Sequence, residues 1–227
     1  MTGMLASVNS LDEAKLVLAE KVNIIDLKEP ALGSLGGLDA GLVKEIVAVI
    51  NGQCLISATI GDLPMQPELI FNAVKEMVET GVNYVKIGFF PSGDVTQVIE
   101  KLVGIAAHVD LIAVLFADTK PDFRLIDTLK AAGFSGVMLD TLDKTNGSLT
   151  RVMAKADIER FVLHVKSRQL LCGLAGSLKF EDIPQLMSYR PSYLGFRGAL
   201  CEQHERTGRI NAQSVLKIKK SIAEFSC

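Results

Sequence analysis

Residues 111–140, LIAVLFADTKPDFRLIDTLKAAGFSGVMLD, contain the pattern that decides the fold. One apolar run begins at Leu111, and the next begins at Gly136. Four apolar residues between the two runs recur at the spacing of one helix face, namely Leu125, Ile126, Leu129 and Ala132. Gly133 then follows as a residue that commonly ends a helix. The stretch predicts a strand, a helix and a second strand parallel to the first.

The same unit recurs from one end of the chain to the other. Eight short apolar runs are present: MLASV from Met4, NIIDLK from Asn23, CLISATI from Cys54, YVKIGFF from Tyr84, LIAVLFA from Leu111, GVMLD from Gly136, LLCGLAG from Leu170 and YLGFRG from Tyr193. Their near-continuous hydrophobicity is typical of parallel strands that helices cover on the outside. Helix-like stripes also occur within residues 69–78, before Gly81, and within 215–225.

Eight such units predict an α/β fold, a single-domain (β/α)₈ TIM barrel over residues 1–227. A doubly wound open sheet is the rival architecture. It commonly has fewer strands, and no G-x-G-x-x-G motif follows the first strand here. No linker or low-complexity segment interrupts the pattern, so we expect one domain.

Composition excludes several classes of function. The 227 residues carry a net charge of −2 and no basic block, which argues against a nucleic-acid partner. The first residues lack the charged and apolar regions of a signal peptide, and no apolar stretch approaches the roughly 20 residues of a membrane span. We therefore expect a cytoplasmic protein with no membrane partner.

Neither the cysteines nor the histidines have the spacing of a metal site. No C-x-x-C pair occurs among Cys54, Cys172, Cys201 and Cys227, and most of these residues lie in or beside apolar runs. We expect them to act as small buried hydrophobic residues. The three histidines are scattered, so the sequence predicts no protein-bound metal and no cofactor.

Charged residues at strand ends are the candidates for chemistry, because active sites of this fold lie at the carboxyl ends of the strands. Strand two ends with Lys28, strand four contains Lys86, and strand six ends with Asp140 and then Lys144. Since inward side chains from alternate strands share a layer, we expect Lys28 and Lys86 to face each other. The alternative is that each lysine only snorkels or pairs with a nearby carboxylate such as Asp26 or Glu29.

Paired lysines favour nucleophilic attack on a carbonyl group. An ordinary lysine has a pKa near 10.4, so only roughly one in 2,500 is a neutral amine at pH 7. Desolvation and a second nearby cation lower that pKa and raise the reactive fraction. The resulting Schiff base would withdraw electrons from the adjacent carbon, with Asp140 as a candidate general base or orienting group.

The loops after strands seven and eight are candidates for phosphate binding, as in many barrels. Five residues are predicted to contribute: Gly173, Gly176, Ser177, Arg197 and Gly198. The glycines would let the main chain approach an anion, and the guanidinium would supply a fork of donors. The alternative is that the glycines only make tight turns. For the glycine-rich segment 33–37, a second phosphate site and a simple turn are equally favoured.

At these residues the chain resembles the (5-formylfuran-3-yl)methyl phosphate synthase family. The resemblance covers essentially the whole chain and rests on five motifs: Asp26-Leu27-Lys28 with the Gly-Ser-Leu-Gly after it, Tyr84-Val85-Lys86-Ile87-Gly88, Leu139-Asp140-Thr141 with Lys144, Gly173-Leu174-Ala175-Gly176-Ser177-Leu178, and Arg197-Gly198-Ala199-Leu200-Cys201. One departure is Glu-Pro after Lys28, where the family commonly has Asn-Pro; we expect no effect on the role of the lysine.

The resemblance implies a lyase that joins two molecules of glyceraldehyde 3-phosphate into a furan aldehyde phosphate for methanofuran-type cofactors. It implies that Lys28 forms the Schiff base, that Lys86 transfers protons, and that Asp140 and Lys144 complete the site.

Three other functions remain open from the residues alone. A class I aldolase with another acceptor would use the same residues, a pyridoxal-phosphate enzyme also needs a lysine and a phosphate cup, and a non-catalytic sensor would bind a phosphorylated metabolite without turnover. The sequence does not determine the oligomeric state, and a homo-oligomer remains an open alternative.

Overall fold

The computed structural model describes residues 1–225 of the chain, so Cys227 lies outside the described residues. Eight parallel strands close into a barrel in sequence order, and the last strand pairs with the first. The strands are β1 (Gly3–Val8), β2 (Ile24–Leu27), β3 (Leu55–Thr59), β4 (Tyr84–Phe89), β5 (Asp110–Phe116), β6 (Gly136–Asp140), β7 (Leu171–Leu174) and β8 (Tyr193–Phe196). The predicted (β/α)₈ barrel is confirmed, and each of the eight apolar runs overlaps a strand.

Helices follow the strands and cover the outside of the barrel. They are α1 (Leu11–Ala19), α2 (Ala40–Ile50), α3 (Pro67–Val78), α4 (Val95–Ala106), α5 (Leu125–Ala131), α6 (Leu149–Val152), α7 (Lys155–Ser167), α8 (Ile183–Ser188) and α9 (Ala212–Glu224). The side chains of Ser10, Asp39, Asp94 and Asn211 accept backbone N–H bonds at four of the helix starts. Such caps satisfy donors that the helix itself leaves unpaired, and thereby fix where each strand–helix loop ends.

The main core lies between the helices and the outer face of the barrel. On α3 the buried residues are Ile70, Val74 and Met77, and on α5 they are Ile126 and Leu129. Cys172 and Cys201 are also buried, whereas Cys54 is only partly buried, and all three are free thiols. The expectation that these cysteines are hydrophobic filling therefore holds best for the first two.

The barrel interior changes from apolar to polar towards the carboxyl ends of the strands. A separate apolar cluster, which includes Leu5, Ile24, Ile112 and Tyr193, fills the lower part. Since side chains along a strand alternate between faces, Asp26 in β2 and Lys28, the first residue after β2, both point into the barrel interior. The barrel therefore supplies a packed floor beneath a polar mouth.

Candidate active site

A cavity of about 730 Å³ opens at the carboxyl ends of the strands. The cationic side chains in its wall are Lys28, Lys86, Lys144, Lys179, Arg197, Arg206 and Lys217, and the anionic ones are Asp26, Asp140 and Glu181. Positive charge is therefore in excess, which suits an anionic ligand. All four residues predicted to be catalytic line this one cavity.

Lys86 lies at the bottom of the cavity in a buried hydrogen-bond network. Its Nζ is 2.7 Å from Oδ1 of Asp26, and its side chain is only 1% exposed. The hydroxyl of Ser57 donates to the same oxygen at 2.7 Å, and the hydroxyl of Ser7 donates to Oδ2 at 2.8 Å. Burial alone would raise the pKa of the Asp26 carboxyl, but the ammonium groups of Lys86 and Lys28 outweigh it and leave that pKa below its ordinary value.

Asp26 is thus a site residue that the sequence interpretation did not select. Sequence reasoning treated it only as a partner that could neutralise a strand-end lysine. In the structure its partner is Lys86, on β4, and not the neighbouring Lys28. The sequence feature that could have identified it is an aspartate inside the apolar run Ile24–Leu27. A buried carboxylate is costly unless it is paired, so a cation had to lie beside it.

Lys28 is buried, with 7% of its surface exposed, and its ammonium forms no hydrogen bond or ion pair with residues 1–225. Burial is the main cause that lowers its pKa to about 8, and the positive charges of Lys144 and Lys86 act in the same direction. The carboxylates of Asp140 and Asp26 oppose this change without cancelling it. A lysine in this state is available as a neutral amine far more often than one in water.

Asp140, which is buried, and Lys144, which is partly buried, form a second ion pair in the cavity wall. The Lys144 Nζ lies 2.5 Å from Oδ1 of Asp140 and also donates to the carbonyl of Thr141. Despite its burial, Asp140 has a lowered pKa, since Lys144 and Lys28 both favour its charged form. Asp118 accepts the backbone N–H groups of Leu142 and Asp143 at 2.8 Å each and so holds the segment that carries Lys144.

The loop after β7 presents backbone donors to the cavity. Gly176 has a φ of +108°, and a Cβ atom there would lie 2.8 Å from the side chain of Thr141, so only glycine fits. Among residues 1–225, the N–H groups of Gly176 and Ser177 have no hydrogen-bond partner. Both residues line the cavity, and both remain predicted phosphate ligands.

Gly173 does not lie in this loop. It belongs to β7, and a Cβ atom there would come within 2.6 Å of three atoms of the Tyr193 side chain. Its missing side chain makes room for that ring inside the barrel. The structure therefore gives Gly173 a packing role, and the prediction that it binds phosphate is not supported by its position.

Arg197 also has a different role from the one predicted, although it lines the cavity with Gly198. Its NH1 donates to the carboxylate of Glu13 and the carbonyl of Ser7, and its NH2 donates to the same carboxylate and the carbonyl of Gly208. Its Nε donates to the carbonyl of Arg206 at 2.7 Å. These bonds use all five N–H groups of the guanidinium. No donor is left for a phosphate, so Arg197 organises the loop instead.

Arg206 is the cavity-lining arginine that sequence reasoning missed. It is partly buried, and one N–H group donates to the carbonyl of Gly33 at 2.7 Å. Arg206 lies in the stretch between the last strand and the last helix, where no apolar pattern indicates which side chains turn inward. Its position depends on two contacts, with Arg197 and with Gly33. The first lies within an irregular loop and the second joins residues 173 positions apart, so neither can be predicted from the sequence.

The glycine-rich segment 33–37 is a structured turn. Asp62 accepts the N–H groups of Ser34 and Leu35 at 2.8 Å each, and Gly33 has a φ of +129°. Because these donors are already used, the structure favours the turn over a second phosphate loop.

Within residues 1–225 no group of three or more His, Cys, Asp or Glu side chains is arranged to hold a metal ion. In the same part of the chain, no helix has the length and apolar character needed to cross a membrane.

Fold and site together define a (β/α)₈-barrel protein whose mouth contains two lysine–carboxylate pairs and a buried lysine, Lys28, that has no ion-pair partner within residues 1–225. A family model described as 4-HFC-P synthase matches residues 4–219. The chain belongs to the 4-HFC-P synthase family and is an enzyme, as the resemblance predicted.

Curated relatives carry the name (5-formylfuran-3-yl)methyl phosphate synthase. The protein from Methanocaldococcus jannaschii is 32% identical over 96% of this chain and 98% of its own length. The protein from Methanosarcina mazei is 31% identical over 87% of this chain and 89% of its own length. A Methylorubrum extorquens protein, whose name assigns that activity provisionally, is 36% identical over 93% of this chain and 88% of its own length.

Solved structures share the fold at low identity. Phosphoribosyl anthranilate isomerase from Thermus thermophilus gives a TM-score of 0.70 at 13% identity and covers 99% of both chains. A 3-hexulose-6-phosphate synthase gives 0.64 at 16% identity, with 97% of this chain and 100% of the other covered. At these identities the comparison supports the barrel alone.

Proposed function

We propose that this enzyme condenses two molecules of glyceraldehyde 3-phosphate, through a Schiff base on Lys28, into (5-formylfuran-3-yl)methyl phosphate. One inorganic phosphate and two water molecules leave, which balances the atoms of the two trioses and the furan product. The product would serve methanofuran-type cofactors in one-carbon metabolism. Because triose phosphates are cytoplasmic metabolites, we expect the enzyme to work in the cytoplasm.

The observation that carries the proposal is the state of Lys28. With a pKa of about 8, roughly a tenth of this lysine is the neutral amine at pH 7, against roughly one in 2,500 for an ordinary lysine. Its nitrogen has no protein partner in the described chain to compete for the lone pair. Attack on the triose carbonyl forms the C–N bond, and the carbonyl oxygen leaves as water. The iminium then acidifies the adjacent C–H group.

The two lysine–carboxylate pairs would divide the proton transfers. Asp140 keeps a lowered pKa and lies close enough to influence Lys28, so it is the proposed base for the α-proton, with Lys144 holding its orientation. Lys86 is proposed to transfer protons to and from the substrate at the bottom of the cavity. Its ammonium is held by Asp26, which Ser7 and Ser57 hold in turn. The enamine formed in this way can attack the carbonyl of the second triose and make the C–C bond.

The phosphate of the Schiff-base substrate is proposed to bind at Gly176 and Ser177, with Gly198 beside them. The free N–H groups of the first two residues, in a cavity with excess positive charge, support this placement.

Product analysis with glyceraldehyde 3-phosphate as the only substrate tests the proposal. We expect a furan chromophore, a product of the mass of the furan phosphate, and one free phosphate for each furan. An aldolase would instead give a sugar phosphate without phosphate release, and a sensor would give no product. Lys28→Ala serves as the inactive control. Lys21→Ala serves as the matched active control, because Lys21 is an exposed lysine between α1 and β2, before the strand that leads to Lys28.

A further inference from the structure

The two arginines of the loop after β8 differ in how many donors they keep free. Arg197 uses all five N–H groups on protein acceptors. Arg206 uses one, on the carbonyl of Gly33, so four of its five N–H groups have no protein partner within residues 1–225. Arg206 also lines the main cavity and interacts electrostatically with Asp140. It is therefore a guanidinium held at the cavity with most of its hydrogen-bonding capacity unused.

The position of Arg206 is fixed from two sides. Its carbonyl accepts the Nε–H of Arg197, which is itself tied to Glu13 through two ion-paired hydrogen bonds. Its side chain reaches Gly33, in a turn whose N–H groups are held by Asp62. A side chain fixed in this way loses less entropy when it binds a ligand.

The guanidinium and the Gly176–Ser177 loop occupy separate sectors of the barrel mouth. Arg206 spans from the loop after β8 to the loop after β2, across the end of β1. Gly176 follows β7 and packs against Thr141, after β6. Lys28 and Asp140 also line the cavity, at the ends of β2 and β6. The cavity therefore has two places for an anion, with the reactive lysine in the same chamber.

We propose that Arg206 binds the phosphate of the second triose phosphate, the one that the enamine attacks, and so determines that the acceptor must be phosphorylated. This assignment rests on the proposed function, since it assumes two phosphorylated substrates in one cavity. A guanidinium can hold two phosphate oxygens with parallel N–H bonds. Lysine lacks this geometry, so Arg206→Lys would restore the charge but not the two-point contact.

Binding of a non-reacting analogue tests the subsite separately from the chemistry. Glycerol 3-phosphate carries the phosphate but no carbonyl, so it cannot form an iminium. By calorimetric titration we expect two equivalents to bind to the wild-type enzyme and one to bind to Arg206→Gln. The matched control is Arg209→Gln, since Arg209 is an exposed arginine of the same loop outside the cavity wall, and it should still bind two. One equivalent in the wild type, or two in Arg206→Gln, would overturn the assignment.

Turnover and trapping then show which substrate Arg206 serves. Arg206→Gln should raise the glyceraldehyde 3-phosphate concentration for half-maximal furan formation at least about tenfold, the loss expected for a hydrogen-bonded charged group. The concentration dependence of borohydride trapping on Lys28 should change less than about twofold, because the first substrate binds elsewhere. Equal loss of trapping and turnover would place Arg206 on the first substrate and overturn the proposal. If the wild type formed no furan and no adduct, the proposed function would fail, while the stoichiometry of glycerol 3-phosphate binding would still decide the subsite.

Discussion

Lys28 and Lys86 enter the same barrel from neighbouring even-numbered strands, and their surroundings differ in one respect. Lys86 has a carboxylate at 2.7 Å, and two serine hydroxyls hold that carboxylate in place. Lys28 is nearly as buried but has no bonded partner among the described residues, and its pKa is lowered to about 8. Burial alone therefore does not make a lysine reactive. The difference lies in one aspartate: Asp26 forms an ion pair with Lys86 and leaves Lys28 without one, so Lys28 is the candidate nucleophile.

Replacing Lys28 should have the largest effect on catalysis. Both Lys28→Ala and Lys28→Arg should reduce kcat/KM by about 10⁴-fold or more, because removal of a nucleophile eliminates the covalent route. The arginine variant is the sharper test, since a guanidinium keeps the charge but stays protonated and cannot attack. Furan formation measured by absorbance checks this. Substantial turnover by Lys28→Arg would make the residue an electrostatic group only.

Asp26→Asn should test the other half of the comparison through stability. The substitution leaves the Lys86 ammonium 1% exposed and without its counter-charge, which should reduce the free energy of unfolding by about 3–5 kcal/mol. Denaturant unfolding followed by circular dichroism measures the change. The control is Asp122→Asn, whose partner Arg124 is 89% exposed, and it should leave unfolding unchanged. Equal midpoints for the two variants would show that the buried pair is not a structural requirement.

Asp140→Asn should slow turnover by about 10²-fold while the fold is retained, the usual scale for loss of a general base or orienting group. The loss should appear mainly in kcat, since the phosphate sites remain intact. Steady-state kinetics with glyceraldehyde 3-phosphate, together with an unchanged circular dichroism spectrum, check the prediction. Near-normal kcat would reduce Asp140 to a structural partner of Lys144.

The smallest expected effect is a gain in stability at neutral pH. Native Lys28 titrates near 8, below its ordinary value of about 10.5, so the folded state binds fewer protons than the unfolded state between these values. The cost of burying its charge is therefore full below pH 8 and is relieved as the pH rises towards 10.5. Lys28→Met should be more stable than the wild type by up to about 3 kcal/mol at pH 7, and the difference should shrink across that window. Unfolding midpoints from pH 6 to 10.5 provide the measurement, and a constant difference would contradict the lowered pKa.

The sequence predicted the barrel because each strand is buried on both faces, which leaves a near-continuous apolar run. It also selected Lys28, Lys86, Asp140 and Lys144, since a charge in or beside such a run must lie at the open mouth. The long-range partners were outside its reach. The Glu13 carboxylate that occupies Arg197 lies 184 positions away in the chain, and no local pattern indicates that contact. For the same reason Arg206 could not be found, and Gly173 could not be separated from the glycines of the phosphate loop.

Borohydride trapping tests the central claim most directly. Wild-type enzyme mixed with glyceraldehyde 3-phosphate and borohydride should acquire one stable triose adduct, which peptide mass analysis should locate on Lys28. Trapping should accelerate as the pH rises through about 8, where that amine loses its proton. An adduct on Lys86, or furan formation with no adduct on any lysine, would contradict the account.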